Sequence, residues 1–596
     1  MKLKGSKATD LLKKIAVDVR WCDSCSVPVT SLDTCGVCGS RTRKVKAVPP
    51  ADIRPAFSRD LRDLRELLEA SYGAKIAEKL LPQRSIVLLN KIEYADAADE
   101  VIVGGFTIGT RIYDLYSLKW VFRPEYRGAS LLIAERRAYA IVKSSTLKKF
   151  QFFERSDIVE GDLPEKGYVA VETADGRYQG LAKVLERGGL RVAKVWKAVP
   201  PLPKVKGYSD LSKAIKANEE RLDLLENDAL RLIENYREGS AVTISGGKDS
   251  SAALALAVKA GVRYAVYVDT GVDFAENYNS VKEICSLLGA ELLVAKPRDG
   301  FWKCIRVFGI QSRDYRWCTR VLKLAPLAKI FSEKGFVTSI TGQRKYESVS
   351  RAIAAQVSRS YTLRSIRSVV SPIHSWSSLE VFMYLEKESL PINRLYFSGF
   401  DRIGCYVCPM LKLPEINSIS SLEFSKWNRF LKTHARKHKL PQEWISLALW
   451  RWRFKYPPEV ETVLSKRGIK AKEIILRNLS SRVNIGLEGN SLRVILVDLP
   501  EVNLSLLARN LQNFFDVKRS SGEKLVLEDN IEVYSNGTIV VPSDLIKNID
   551  FIVKSIYSIH VCVRCELCKY SSPDDCPVLK YLHLDVANLV RKILEG

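Results

Sequence analysis

The chain has 596 residues, which is too many for a single hydrophobic core, so we expect several domains. Its 93 Lys and Arg residues against 68 Asp and Glu residues give a formal net charge of +25, which favours a polyanionic partner such as a nucleic acid. No run of about 18 apolar residues occurs and the N-terminus lacks the apolar segment of a signal peptide, which predicts a cytoplasmic protein without a membrane partner. In that compartment the 13 cysteines are not expected to form structural disulfides.

The first group of cysteines is Cys22-x2-Cys25-x9-Cys35-x2-Cys38, with a glycine beside each cysteine of the second pair. Each Cys-x2-Cys can place two thiolates on one tetrahedral ion, and four thiolates leave no open coordination position. The spacing therefore predicts a zinc ribbon over residues 1–50 with a structural Zn²⁺. Leucines at helical spacing and short strand-like runs follow, which indicates an α+β region over residues 51–150 without chemistry of its own.

A turn and two strand-like runs come next. Gly161-Asp162 precedes the strand-like Tyr168 to Val171, and a Gly-x3-Gly-x-Ala pattern ends at Ala182. This order resembles a PUA domain, an RNA-binding β-barrel that often accompanies RNA-modifying enzymes, and the resemblance covers roughly residues 154 to 198. It implies a PUA-like domain over residues 151–200, with an ordinary β-barrel as the alternative. The basic residues that would then contact phosphates are Arg187, Arg191, Lys194 and Lys197.

A proline-rich linker around Pro200-Pro201 and a helical pattern lead to the stretch Ser245-Gly246-Gly247-Lys248-Asp249-Ser250-Ser251. It lies between an apolar strand-like run and a helical run, so it predicts a tight turn at a helix N-terminus. Adjacent glycines let backbone N–H groups approach an anion, and Lys248 adds a full positive charge. Asp249 is available for Mg²⁺, while Ser245, Ser250 and Ser251 can bind phosphate oxygens or cap the helix.

The loop resembles the SGGxDS loop of the N-type ATP pyrophosphatases, which cleave ATP between the α and β phosphates; an ordinary strand-to-helix turn is the alternative. A second strand-like run, Tyr264 to Val268, ends in Asp269-Thr270-Gly271. Ligands of open parallel sheets bind at the carboxyl ends of the strands, so we assign adenosine recognition to Asp269.

Further motifs extend this resemblance to the phosphoadenosine phosphosulfate (PAPS) reductase family. They are Arg313-Asp314-Tyr315-Arg316-Trp317-Cys318-Thr319, Lys323 with Pro326, Gly342-Gln343-Arg344 with Arg351, Pro372-Ile373 and Arg402-Ile403-Gly404-Cys405-x2-Cys408-Pro409. The resemblance implies a parallel-sheet α/β core of the adenine nucleotide α-hydrolase type (PP-loop, HUP-like) over residues 205–410. It also implies that Gly342 lines the nucleotide site and that Arg344 and Arg351 are phosphate clamps.

Two departures from the family bear on the reaction. Sulfonucleotide reductases usually carry an altered phosphate loop and a C-terminal Glu-Cys-Gly nucleophile, whereas this chain has the full loop and no Glu-Cys-Gly. The intact loop predicts that ATP is the substrate, with an adenylated acceptor and pyrophosphate as products and Mg²⁺ neutralising the developing charge.

The second group of cysteines is Cys318, Cys405 and Cys408. Adenylyl-sulfate reductases of the same family hold a [4Fe–4S] cluster with a Cys-Cys pair and a distant Cys-x2-Cys, but this chain has Thr319 at the second position of the pair. Three thiolates would leave one iron open to bind sulfide, as in cluster-dependent tRNA thiolation enzymes with a similar loop. Zinc at these residues and a redox disulfide between Cys405 and Cys408 are the alternatives. Cys285 and Cys304 lie in apolar helical contexts and are predicted to be buried.

The C-terminal third begins with a basic helical region over residues 411–480. Its Trp444, Trp450 and Trp452 alternate with basic residues and predict either a base-stacking face or ordinary core tryptophans. Residues 481–596 alternate strand-like and helical runs, which indicates a small α+β module. It ends in Cys562-x2-Cys565-x2-Cys568-x7-Cys576-Pro577, which resembles a ferredoxin-type [4Fe–4S] motif with a longer last spacing. Such a cluster would relay electrons, and zinc is the alternative.

Taken together, these patterns predict an enzyme of the PAPS reductase family that adenylates a base of RNA, first of all tRNA, and transfers sulfur to it. The expected cofactors are ATP, Mg²⁺, Zn²⁺ and one or two [4Fe–4S] clusters, and a sulfur donor and an electron donor are the further partners. We assign catalytic roles to Lys248, Asp249 and Cys318. A sulfonucleotide reductase is the first alternative and a non-catalytic RNA-binding cluster protein the second; the oligomeric state stays open.

Overall fold

The computed structural model describes residues 6–204, 208–360, 362–497 and 499–594. The predicted first residue of the catalytic domain, residue 205, lies outside these ranges. Every helix within them is too short or too polar to cross a lipid bilayer.

The N-terminal part contains two antiparallel sheets. The first is small and has the strand order β2-β1-β3, and the second has the order β4-β5-β6-β7-β8. The elements are α1 (Ser6–Lys14), β1 (Val19–Cys22), β2 (Val27–Thr30), β3 (Arg43–Lys44), β4 (Arg54–Pro55), α2 (Ser58–Tyr72), α3 (Ala74–Leu80), β5 (Val87–Lys91), β6 (Ala98–Val103), β7 (Phe106–Asp114), β8 (Lys119–Pro124) and α4 (Arg127–Ala134).

A third sheet has six strands in the order β10-β14-β13-β12-β9-β11. Its neighbours are antiparallel except for β9 and β12, which run parallel. The strands are β9 (Tyr139–Val142), β10 (Phe152–Phe153), β11 (Ile158–Asp162), β12 (Gly167–Thr173), β13 (Tyr178–Val184) and β14 (Leu190–Lys197). Strand β9 precedes the predicted boundary at residue 151, so this sheet takes in part of the region expected to come before it.

The central sheet has the order β17-β16-β15-β18-β20-β19 and is parallel except for β19 at its edge. Its elements, with the helices that flank it, are α5 (Leu211–Ala217), α6 (Glu219–Glu234), β15 (Ser240–Ile244), α7 (Lys248–Lys259), β16 (Tyr264–Val268), α8 (Ala275–Leu288), β17 (Glu291–Ala295), α9 (Phe301–Phe308), α10 (Ala325–Glu333), β18 (Thr338–Ile340), α11 (Val349–Ile353), β19 (Val357–Ser358), β20 (Ser368–Val370), α12 (Ser378–Lys387) and α13 (Arg394–Phe397).

The central sheet is buried on both faces, as its apolar strands require. Successive side chains of a strand point to opposite faces, so Val242 packs with α6, α7 and α12, whereas Ala241 packs with Phe331 of α10 on the other face. Helix α7 is buried almost all round, from Lys248 to Ala257. The mixed α/β fold with a parallel sheet that the sequence predicted is therefore confirmed.

The C-terminal part packs on one side of this domain through a shared apolar core. It has an antiparallel sheet of order β21-β22-β26-β25-β24-β23. Its elements are α14 (Leu413–Ser418), α15 (Leu422–Lys437), α16 (Glu443–Ser446), α17 (Pro458–Lys466), α18 (Ala471–Leu479), β21 (Val483–Glu488), β22 (Ser491–Leu496), α19 (Leu504–Leu511), β23 (Val517–Ser520), β24 (Lys524–Leu527), β25 (Glu532–Tyr534), β26 (Thr538–Pro542), α20 (Ile549–His560), α21 (Leu567–Tyr570), α22 (Pro577–Tyr581) and α23 (His583–Leu594).

The tryptophans of residues 411–480 belong to this core. Trp444, Trp450 and Trp452 are 0%, 3% and 7% exposed, and Arg451 between the last two is fully buried. The Arg451 guanidinium pairs with Asp96 at 2.6 Å. The prediction of a base-stacking face is therefore wrong and the alternative of core tryptophans is right, because the rings are buried. The cations on either side of Trp452, Arg451 and Arg453, pair with the buried carboxylates of Asp96 and Asp585.

Candidate nucleotide and cysteine sites

The glycine loop forms the turn between β15 and α7, at the carboxyl edge of the central sheet. Gly246 has φ +77°, and a Cβ there would meet the Asn277 carbonyl oxygen at 2.7 Å, so the position requires glycine. Gly247 precedes the first residue of α7, which points the free N–H groups of that helix toward the loop. Within the loop, Ser250 Oγ accepts from the Ser245 N–H at 3.2 Å and donates to the Gly247 carbonyl at 2.9 Å. Ser251 is buried beneath it.

Four charged side chains of alternating sign, those of Lys248, Asp249, Arg344 and Asp52, form a chain of ion pairs that starts at this loop. Lys248 Nζ lies 2.6 Å from Asp249 Oδ2, and Arg344 Nε lies 2.6 Å from Asp249 Oδ1. The Arg344 guanidinium also donates to both carboxylate oxygens of Asp52, at 2.9 and 3.0 Å. The Lys248 and Arg344 side chains are 7% and 3% exposed, so these contacts are largely shielded from water.

The same charges set the protonation of the loop carboxylate. Burial alone would raise the pKa of Asp249, but Arg344 and then Lys248 outweigh burial and hold this pKa below its usual value. The two carboxylates also hold the pKa of Arg344 above its usual value, against burial. Asp249 is therefore an anion between two cations, which makes it a ready oxygen ligand for a divalent ion.

Gly342 and Arg351, two other predicted nucleotide residues, have different surroundings. A Cβ on Gly342 would meet the Asp249 carbonyl oxygen at 2.4 Å, so glycine lets the chain after β18 lie directly against the loop. Arg351 lies on α11, where it pairs with Glu347, which also accepts from the Arg344 backbone N–H at 3.0 Å. The structure thus brings the Arg344 side chain into contact with the glycine loop. The Arg351 side chain instead pairs with Glu347, which in turn contacts the Arg344 backbone.

Asp269 follows β16, the strand beside β15 in the sheet. Its Oδ1 accepts from the Gly271 N–H at 2.9 Å, which fixes a turn at the same edge as the glycine loop. Farther along this turn, a cavity of about 660 Å³ is lined by Asp273, Phe274, Phe397, Phe400, Tyr406 and Arg62 among others. Its size is within the range of ligand pockets.

Cys318, Cys405 and Cys408 are half-buried and pack against the apolar core that the catalytic domain shares with the C-terminal part. Cys405 Sγ donates to Asp273 Oδ1 at 3.1 Å. The pKa of Lys323 is raised chiefly by Cys405, with smaller contributions from Asp273 and the other two cysteines. Burial raises the pKa of Cys318 to about 11. Lys323 lies in a π-helical turn, Thr319–Leu324, and Cys318 directly precedes this turn. Such turns are frequent at functional sites.

The N-terminal cysteines form a compact group. The sulfur atoms of Cys22, Cys25, Cys35 and Cys38 all lie within 4.8 Å of one another, and the Cys25 N–H donates to Cys22 Sγ at 3.4 Å. A tetrahedron with metal–sulfur bonds of about 2.3 Å has sulfur atoms about 3.8 Å apart, so the donor set fits one ion. Burial raises the pKa of Cys22 to about 11 and that of Cys25 to about 12, so a bound ion would have to displace protons.

The terminal cysteines wrap around a loop. Arg564 and Glu566, on either side of Cys565, both have positive φ, at 49° and 61°, which curls the backbone between the cysteines. The Arg564 N–H donates to Cys562 Sγ at 3.3 Å. Burial raises the pKa of Cys565 to about 11, and Cys576, Cys568 and Cys562 each add to the shift. Among the described residues, neither this group nor the group of Cys318, Cys405 and Cys408 has three sulfur atoms that all lie within 4.8 Å of one another.

Cys285 and Cys304 are buried, as predicted, at 2% and 1% exposure. Sequence reasoning missed Asp52, which lies in the Pro-rich stretch before β4 and reaches a guanidinium 292 positions away. No local pattern marks it, because its role depends on that long-range contact. It also missed Tyr396, whose hydroxyl accepts from the Lys248 backbone N–H at 3.1 Å.

Comparisons with known proteins find relatives of the central domain. Residues 239–411 match the family model of the phosphoadenosine phosphosulfate reductase domain. Adenosine 5'-phosphosulfate reductase of Mycolicibacterium smegmatis is 24% identical over 222 residues, which cover 37% of this chain and 90% of that protein. A phosphoadenylyl-sulfate reductase structure from Candida auris, a phosphate complex, covers 32% of this chain and 95% of its own at 18% identity and a TM-score of 0.26.

A longer match comes from Methanocaldococcus jannaschii. The uncharacterized protein MJ0066 is 34% identical over 477 residues, which cover 74% of this chain and 97% of that protein. The chain therefore belongs to the same family as MJ0066, and its residues 239–411 form a phosphoadenosine phosphosulfate reductase domain.

Proposed function

We propose that this protein is an ATP-dependent RNA-modifying enzyme that adenylates a base of RNA, with tRNA as the first candidate, and replaces the activated oxygen by sulfur. The observation that carries the proposal is the intact glycine loop with Asp249 held between Lys248 and Arg344. ATP arrives with Mg²⁺, for which the Asp249 carboxylate would be a ligand, whereas a ready-made phosphosulfate does not need this carboxylate.

The first half of the reaction would be a displacement at the α-phosphorus. A carbonyl oxygen of the base attacks, an oxygen–phosphorus bond forms, and pyrophosphate leaves with the bonding electrons. Lys248 exchanges its contact with Asp249 for a phosphate oxygen, and the N–H groups at the start of α7 stabilise the developing charge. Bound Mg²⁺ would neutralise charge on the leaving group.

In the second half, a sulfide nucleophile attacks the activated carbon and AMP leaves. An iron–sulfur group on Cys318, Cys405 and Cys408 would supply an open iron for sulfide. The donor set fits such a group, because all three cysteines raise the pKa of Lys323 and its ammonium would offset part of the negative charge of three thiolates. At the terminal cysteines we propose a [4Fe–4S] cluster as well, because three thiols in one loop with a fourth close by suit a cubane. At the compact N-terminal group, by contrast, we propose Zn²⁺.

RNA recognition is proposed for the sheet of β9 to β14, as a PUA-like domain. Phe150 and Phe152 are 62% and 54% exposed, and the guanidinium of Arg191 lies 5.5 Å from the Phe150 ring centroid. Exposed aromatic rings beside cations suit base stacking and phosphate contacts. Lys194, however, pairs with Glu125 at 2.7 Å, so the proposed phosphate contacts do not include it. The aromatic cavity beside Asp273 would accommodate the flipped acceptor base.

A sulfonucleotide reductase is the second candidate, favoured by the similarity to adenosine 5'-phosphosulfate reductase and by the thiols at the nucleotide edge. Anaerobic incubation with ATP and bulk tRNA separates the candidates. Pyrophosphate release with a new thionucleoside supports RNA modification, and sulfite from a phosphosulfate without pyrophosphate contradicts it. ATP binding without turnover would indicate the non-catalytic RNA-binding protein.

The matched variants for this assay are Lys248→Ala and Lys334→Ala. Lys248 contacts the loop carboxylate, whereas Lys334 is exposed at the end of α10. We expect Lys248→Ala to abolish pyrophosphate release and Lys334→Ala to retain it. Equal activity of the two variants would contradict the proposed nucleotide site.

A further inference from the structure

The terminal cysteine segment, residues 562–576, is docked on the catalytic domain rather than tethered beside it. Leu567, between two of the cysteines, is fully buried in the apolar cluster that includes Ala328 and Phe331 of α10. The Arg364 N–H donates to the Tyr570 carbonyl at 2.8 Å. These contacts hold the segment in one position on the layer of helices that covers the central sheet.

That position adjoins the second cysteine group. Arg320, two residues after Cys318, pairs through Nη1 with Asp575 Oδ1 at 2.9 Å, and Asp575 directly precedes Cys576. Both partners are about one-seventh exposed, at 14% and 15%. The contact continues at Tyr581, whose ring lies 5.5 Å from that of Tyr315. One ion pair and short lengths of backbone therefore separate the two cysteine groups.

We propose that the terminal cysteine group, loaded with a [4Fe–4S] cluster, passes single electrons across the Arg320–Asp575 contact to the group on Cys318, Cys405 and Cys408. This goes beyond the proposed function, and rests on it only for the iron–sulfur group at Cys318. The donor set of the terminal segment fits, because three cysteines lie on the curled loop and the Arg564 N–H is directed at Cys562 Sγ. The fourth, Cys576, lies directly before α22.

Electrons are conserved along this route. An external low-potential one-electron carrier reduces the terminal cluster, which is reoxidised when it passes the electron inward. Two such transfers with one proton cleave the sulfur–sulfur bond of a persulfide to a thiol and hydrosulfide, which delivers sulfur at the oxidation level that base thiolation needs. The Arg320–Asp575 contact is largely shielded from water. This favours the transfer, because water between two redox groups would have to reorganise each time an electron passes.

Electron paramagnetic resonance on the full chain, reconstituted anaerobically with iron and sulfide, tests the proposal. With both clusters reduced, we expect a spectrum broadened by magnetic interaction between two nearby spins. The variant Cys562→Ser/Cys568→Ser should give the unbroadened signal of the inner group alone, and Cys285→Ser, a buried cysteine elsewhere, should match the wild type. A wild-type spectrum equal to the sum of two isolated clusters, or zinc in place of iron at the terminal group, would overturn the proposal.

A redox titration of the wild type needs no variant. At potentials that reduce one cluster the signal should be narrow, and broadening should grow in as the second cluster is reduced. Linewidths independent of potential would overturn the proposal.

The variant Arg320→Gln tests the route itself. It should slow electron transfer between the two clusters after rapid mixing with reductant. The control Arg298→Gln, which loses a more exposed 3.6 Å pair with Glu566, should not slow it. Equal rates in the two variants would count against the Arg320–Asp575 route. Lys248→Ala should abolish pyrophosphate release and leave the broadening intact, so failure of the proposed function and failure of the relay are distinguishable.

Discussion

At the scale of single residues, the loop carboxylate depends on a partner from far away in the chain. Asp52 holds Arg344 with two hydrogen bonds and also accepts from the Ser378 N–H at 2.6 Å at the start of α12. It thus orients the guanidinium whose other side contacts Asp249. Asp52 is therefore a positioning residue for the nucleotide site.

We expect Asp52→Asn to weaken the site more than the fold. Loss of a charge-assisted pair costs about 1.5–3 kcal/mol of stability, and the freed Arg344 should compete with the Mg²⁺ of Mg·ATP for Asp249. The KM for ATP should rise while RNA affinity is unchanged. Steady-state pyrophosphate release over a range of ATP and Mg²⁺ concentrations measures this. The control is Asp63→Asn, a partly exposed carboxylate on α2 that pairs with Arg59. An unchanged KM for ATP in Asp52→Asn would contradict the positioning role.

Asp60 is the centre of a second buried ion-pair network. It accepts from Arg54 at 2.7 Å and from Arg111 at 2.6 Å, and Arg54 also reaches Asp401 of the catalytic domain at 3.2 Å. Burial would raise the pKa of Asp60, but Arg54 and Arg111 overcome burial and hold it below its usual value.

We expect Asp60→Asn to lower the free energy of unfolding by about 3 kcal/mol, because it removes the carboxylate that two buried guanidinium groups share. Within the described part of the chain, Arg54 would keep only Asp401 and Arg111 only Asp99 as an anionic partner. Asp63→Asn in the same helix should cost less than about 1 kcal/mol, since its pair with Arg59 is partly exposed, with the two side chains 22% and 43% open to water. Asp60 stabilises the fold fully above the unfolded pKa of about 4, and this stabilisation should decline as pH falls below that value. Thermal melts between pH 7 and pH 3 should show a steeper loss in wild type than in Asp60→Asn; parallel curves would contradict this account.

At the scale of elements, sequence reasoning succeeded where the signal is local. The strand, glycine turn and helix of β15, the loop and α7 follow from adjacent residues, and the Cys-x2-Cys pairs define their own turns. It failed where burial depends on distant partners. Arg451 looks like a surface cation in sequence but is fully buried against Asp96. Lys194 stays half exposed, yet its amine pairs with the buried Glu125 that follows β8.

The small sheet β1–β3 should depend on its proposed zinc ion. It contacts the catalytic helices through Asn218, fully buried before α6, which accepts from the Thr30 N–H at 2.7 Å and donates to the Pro28 carbonyl at 2.9 Å. We expect Cys22→Ser to lose one zinc per chain and to raise hydrogen exchange in β1, β2 and the start of α6. Cys285→Ser is the control, and retention of zinc by Cys22→Ser would refute the site.

At the scale of the whole molecule, the charge of +25 predicts salt-dependent RNA binding. We expect Arg187→Ala/Arg191→Ala to weaken binding and to reduce the slope of log K against log salt by about 1 for each phosphate that the protein no longer neutralises. Phe150→Ala should cost about 1–3 kcal/mol with little change in slope, because stacking is not ionic. Filter binding from low to high salt measures both.

The control for this prediction is Lys470→Ala/Lys472→Ala, which removes two exposed cations from α18 and the residue before it. If this pair reduced the slope as much as the Arg187 and Arg191 pair, binding would follow net charge rather than the sheet of β9 to β14.

The reach of Asp52 has a practical consequence for anyone who wishes to shorten the protein. A fragment starting at residue 208 would retain the whole central sheet, yet it would leave Arg344 with half of its counter-charge and Asn218 without its partners on β2. Low activity of such a fragment would reflect the missing contacts to Arg344 and Asn218 rather than the chemistry of the central domain. Turnover should therefore be measured on the full chain.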